Sequence, residues 1–100
     1  MSLAGMHSPK AIVCAIEEYN RGPKRFLEDH HFKPARRYFL DHGGQLYPSK
    51  AIVGVAHGYE FPDEGPLKSD GFKGGKPVKR KLEELGFQVR VLPRQGIAHR

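Results

Sequence analysis

Cysteine is nearly absent. Cys14 stands alone among 100 residues, so no internal disulfide can form and the small disulfide-stapled scaffolds are excluded. Long apolar runs are absent as well. No stretch approaches the roughly 20 residues of a membrane span. Met1 to His7 lack a basic start followed by an apolar run, so no secretory signal is read there. A reducing, cytoplasmic setting is expected. Metal-ligand spacing is also missing. His30 and His31 are adjacent, which in a helix sets them about 100° apart. His42 falls in a turn, His57 on a helix, and His7 and His99 in the tails. No CxxC, HxxxH or HExxH occurs, so neither a structural zinc nor any cofactor is expected.

Catalytic constellations are equally scarce. No serine has a G-x-S-x-G setting and no loop has the Walker A spacing with its Lys-Ser/Thr pair. Asp29-His30-His31 matches a three-residue phosphoesterase signature, but that chemistry draws further ligands from a much longer chain. Asn20, the only asparagine, lies inside a helix without the surroundings of an HNH nuclease centre. No nucleophile stands with a base and an orienting group, so the domain is expected to be non-catalytic.

What is present is a basic globular domain. The chain has 38% hydrophobic and 28% charged residues, which is neither disordered nor fibrous composition. At 11.3 kDa it supports one modest core. The formal charge is +6, and it is unevenly spread. Residues 73–81 carry Lys73, Lys76, Lys79, Arg80 and Lys81 with no acid, and residues 21–37 carry six cations against Glu28 and Asp29. Between these islands, Glu60, Asp63, Glu64 and Asp70 face only Lys68. The pattern is that of solvated faces or of a surface that tracks phosphates.

Ser8-Pro9 opens a first helix, with Ala11, Ile12, Ala15, Ile16 and Tyr19 at helical spacing up to Gly22. Pro23 starts a second, short helix through about His31, ended by Pro34. Arg36 to Asp41 reads as a strand, Gly43-Gly44 as a hairpin turn, and Gln45 to Tyr47 as the returning strand. Pro48-Ser49 opens a third helix from Lys50 to about Tyr59, with Ile52, Val55, Ala56 and Tyr59 on its core face. Residues 60–75 read as a loop. A fourth helix starts near Lys76-Pro77 and ends at Gly86, and Phe87 to Val91 alternate as a final strand. The expected fold is α+β, four helices on a small, mostly antiparallel three-stranded sheet. Residues 8–92 form the single domain. Residues 1–7 read as a leader or expression scar, and 93–100 as a flexible tail or the start of a linker.

Two stretches are candidate binding sites. Gly74-Gly75 precede a helix N-terminus, where free N–H groups and the dipole favour an anion, and Lys76, Lys79, Arg80 and Lys81 follow. On the third helix, Lys50, Gly54 and His57 share an outer stripe. A mid-helix glycine costs about 1 kcal/mol against alanine, so close packing or close approach of a ligand must offset it.

Arg36-Arg37-Tyr38-Phe39-Leu40, then Tyr47-Pro48-Ser49-Lys50-Ala51-Ile52-Val53-Gly54-Val55-Ala56-His57-Gly58-Tyr59, resemble a known family. So do Gly74-Gly75 and Arg80 to Phe87. The chain looks like the N-terminal head domain of McrA-type HNH restriction endonucleases, the ScoMcrA-like head domain, over about residues 9–92. Pro48 departs from the pattern, where an acidic residue more often precedes Ser-Lys. The resemblance implies a bacterial, cytoplasmic, modification-dependent (type IV) restriction context, with this domain in an accessory role beside a parent nuclease. The charge and glycine patterns name the DNA contacts. Lys76, Lys79, Arg80 and Lys81 would neutralise duplex phosphates, Arg36 and Arg37 would extend the footprint, and Lys50, His57, Tyr59, Gly74 and Gly75 would lie closer to the DNA, plain or modified. The other reading is a protein–protein docking module within a nuclease or restriction complex, on the parent's remaining domains or on a second copy in a homodimer.

Overall fold

The computed structural model describes residues 3–93. The tail expected from residue 93 falls, from residue 94 on, outside the described residues, as do Met1 and Ser2. Helix α1 (Pro9–Arg21) begins where Ser8 Oγ accepts the Ala11 N–H at 3.2 Å, with Pro9 at its first position. Helix α2 (Pro23–Asp29) follows directly after Gly22. It stops two residues short of the expected His31. His31 adopts a left-handed φ of 61°, and the Phe32 N–H bonds back to the Leu27 carbonyl at 2.9 Å. That is a Schellman closure built on histidine instead of glycine.

Strand β1 (Tyr38–His42) pairs with β2 (Gln45–Pro48) and β3 (Gln88–Val91) in an antiparallel sheet of order β2-β1-β3. Gly43 and Gly44, at φ of 61° and 83°, supply the paired positive φ of a tight hairpin turn. Leu40 is fully buried between Tyr47 and Val89, which fixes the core face of the sheet. Arg36 and Arg37 lie before β1 rather than within it.

Helix α3 (Ser49–Glu60) is the spine of the domain. Every residue from Ala51 to His57 is buried. Helix α1 covers one side, and the sheet and α4 (Lys76–Glu84) cover others. The segment after α3, with its short turn at Ser69–Gly71, covers the last side. The stripe read as an outer face is therefore internal. A Cβ on Gly54 would lie 2.7 Å from Phe32 Cζ and 3.1 Å from the Leu67 carbonyl oxygen. One on Gly58 would lie 2.8 Å from the Pro66 nitrogen. Tyr59, expected on the core face, is instead exposed.

The segment before α1 joins the core. Met6 is fully buried, and its carbonyl accepts from Lys81 Nζ at 3.0 Å. The Glu60 carboxylate at the end of α3 accepts the His7 and Ser8 N–H groups at 2.8 and 3.2 Å.

Candidate functional site

The N-termini of α3 and α4 open onto one concavity of about 420 Å³. Ser49, Lys50 and Ala51 form its floor, and Gly74 and Gly75 one side. The segment from His31 to Tyr38 forms the facing wall, and Ser69 and Asp70 complete the rim. Neither helix has a side-chain cap. Ser49 could cap α3 but donates its hydroxyl to the Tyr38 carbonyl at 3.1 Å instead. The first turn of α3 and Gly75, the residue before α4, thus border the same space, near the positive dipole ends of both helices.

The cations arranged around it come from distant parts of the chain. Lys33, Arg36, Arg37 and Lys50 line the concavity against one acid, Asp70. Lys73 and Lys76 flank the Gly74-Gly75 turn and are exposed. Two of these cations are braced. Arg37 lies 5.5 Å over the Tyr38 ring, and its Nε donates to the Leu92 carbonyl at 3.1 Å while its own carbonyl accepts the Leu92 N–H at 2.7 Å. Lys50 Nζ donates to the Ser69 carbonyl at 2.5 Å and sits 5.1 Å over Phe72. The others, Lys33, Arg36, Lys73 and Lys76, make no ion pair among the described residues.

The two glycines act differently from each other. Gly75 has φ of 73° with ψ of −133°, a region closed to side-chain-bearing residues. Gly74 is approached by the Lys50 stem, whose Cδ would lie 3.1 Å from an added Cβ. The close approach expected of a ligand at Gly74 is thus made by the protein itself.

The remaining candidates do not join this site. Lys81 is buried, its ammonium shared between the Met6 carbonyl and Glu84 at 2.9 Å. It cannot neutralise a phosphate without leaving both. His57 is 1% exposed. Its Nδ1 donates to the Gly65 carbonyl at 2.8 Å, and its Nε2 is 3.5 Å from Glu64, so it anchors the covering segment. Lys79 is paired with Glu83 at 2.9 Å. Arg80 lines a separate hollow with Leu3, Ala4 and His7. Tyr59 lies toward the opposite end of α3, about 12–15 Å along the helix from the pocket floor. Lys33 and Tyr38 were not singled out in the sequence. Lys33 was visible there only as part of a basic island, and nothing local in the sequence marks Tyr38 as a pocket wall.

Around Tyr59 there is a second polar cluster. The Glu18 carboxylate accepts the Tyr59 hydroxyl and is bonded to His30 Nε2, both at 2.7 Å. Partial burial pushes the Glu18 carboxyl up, but the hydrogen bonds from His30 and Tyr59, with the nearby charges of His30 and Arg21, outweigh it and hold it below the ordinary carboxylate value. A carboxyl group held low stabilises the fold above its unfolded pKa and loses that contribution as pH falls through the folded value. The melting temperature is therefore expected to fall as pH drops through the carboxylate range, and Glu18→Gln to flatten part of that fall. Parallel melting curves for the two proteins from neutral to acid pH would contradict this.

The concavity is thus lined by cations from two parts of the chain and bordered by two helix starts, on a small α+β domain. The chain belongs to the ScoMcrA-like, N-terminal head domain family, whose sequence profile matches residues 7–91. Among solved structures it is similar to the type IV phosphorothioation-dependent restriction endonuclease ScoMcrA, at 34% identity and a TM-score of 0.65. The match covers 90% of this chain and 14% of that one, so the chain spans a small part of that enzyme's length. Comparison with curated protein sequences finds no match.

Proposed function

We propose that this domain is the non-catalytic, DNA-contacting head of a modification-dependent HNH restriction endonuclease acting in the cytoplasm. The observation that carries the reading is the convergence of Lys33, Arg36, Arg37 and Lys50 with two uncapped helix N-termini at one concavity. Duplex phosphates are the anions such a surface suits. The net charge of +6 draws them to it at long range. Membership of the head-domain family supports the DNA context.

The test is the salt dependence of duplex binding by this chain. Dissociation constants of about 10⁻⁴ to 10⁻⁶ M are expected at physiological salt. Log affinity is expected to fall linearly with log salt, with a slope of about −0.9 for each phosphate neutralised. Undetectable binding at low salt would overturn the reading and leave the docking module, on parent domains or on a second copy, in its place.

A further inference from the structure

The concavity is more apolar than phosphate contact requires. A phosphodiester held by surface cations needs only a rim. Here the half-open concavity as a whole holds about 420 Å³, within the range of small-molecule sites. Its wall includes Ala35, Tyr38 and Pro48. The Tyr38 hydroxyl and the Asp70 carboxylate make no hydrogen bond among the described residues. A ligand matching this space carries an anion at the mouth, a flat apolar ring within, and hydrogen-bond donors at its edge.

From that match we propose that the pocket takes one unpaired nucleotide, its phosphate on Arg36 at the rim and its base against Tyr38. Bases in a duplex are stacked and cannot enter a concavity. An unstacked nucleotide can swing out into one, and its ring gains a contact that fully paired DNA does not offer. Arg37 already covers the Tyr38 ring at 5.5 Å, so the aromatic wall is held in place before a ligand arrives. Asp70 supplies an acceptor for base N–H groups. The inference rests on the DNA-binding reading above and adds the form of the strand recognised.

The experiment measures binding of this chain to two duplexes that differ only by one central unpaired adenosine, and to 5′-dAMP alone. The duplex with the unpaired nucleotide is expected to bind about tenfold more tightly, a gain typical of stacking one base on an aromatic side chain. Tyr38→Leu is expected to abolish that gain, read as the ratio of the two duplex affinities. Because Tyr38 sits beside the core, Asp70→Ala on an exposed turn provides a second variant, expected to reduce the ratio between the two duplexes with the fold intact. Equal binding of the two duplexes, with a normal salt slope, would overturn the nucleotide pocket and leave the DNA reading standing. Binding of neither duplex would overturn both. Binding of 5′-dAMP with no gain on the unpaired strand would overturn the strand as the source of the nucleotide.

Discussion

Gly54→Ala is expected to destabilise the domain, by about 1–2 kcal/mol net, although alanine is the better helix former. The propensity gain is about 1 kcal/mol. Against it stands overpacking, which costs about 1–3 kcal/mol and reaches the upper part of that range, about 2–3 kcal/mol, where the surroundings cannot yield. The three nearest atoms come from three places: Phe32 Cζ at 2.7 Å, the Leu67 carbonyl oxygen at 3.1 Å and Phe72 Cζ at 3.2 Å. Phe32 is buried and makes an edge contact with Phe72 at 6.3 Å between centroids. The Leu67 peptide is tied to the helix by its N–H bond to the Gly54 carbonyl at 2.9 Å. None of these neighbours can swing aside freely. Gly54→Leu, with three further carbons, is expected to leave no cooperative unfolding transition. Thermal and urea denaturation measure both. At about 4–8 °C per kcal/mol for a domain of this size, the alanine variant should melt roughly 4–16 °C lower. An unchanged or higher melting temperature would mean that the segment after α3 does not lie on Gly54.

Removing Lys33, Arg36 and Lys76 together, as alanines, is expected to cut duplex affinity steeply without unfolding. All three are exposed and free of ion pairs among the described residues, so stability should stay within about 0.5 kcal/mol. Three lost phosphate contacts lower the salt slope by about 2.7. The Lys79→Ala, Arg80→Ala pair is the control. Lys79 is held by Glu83, and Arg80 faces a different hollow, so the slope should hardly move. A fall for the control pair and none for the triple variant would place the DNA on the exposed side of α4.

The difference between those two sets of cations shows what was legible in the sequence. The elements were. Ser8-Pro9, the apolar spacing of α1, Gly43-Gly44 and the start of α4 are local signals, and each is read within a few residues of where it acts. The four-helix, three-stranded α+β arrangement follows from them. The site was legible only in part. Arg36, Arg37, Lys50, Gly74 and Gly75 were named as candidates and line one concavity. Nothing local joined them, because the hairpin and the covering segment bring them together. Lys81 and His57 were misplaced for a related reason. Helical spacing says which residues share a face but not what later covers it. Lys81 is buried because a carbonyl 75 residues away comes to meet it. His57 is buried because the chain folds back over α3 and offers the Gly65 carbonyl. Tyr59 shows the converse, a residue with core spacing that the helix end carries into solvent.

Arg37 and Leu92 are joined twice, backbone to backbone and side chain to backbone. One residue therefore belongs both to the wall of the concavity and to the point where the chain leaves the sheet. Substituting Arg37 would therefore be felt in two places at once, uncovering the Tyr38 ring and removing one of the two bonds that hold Leu92.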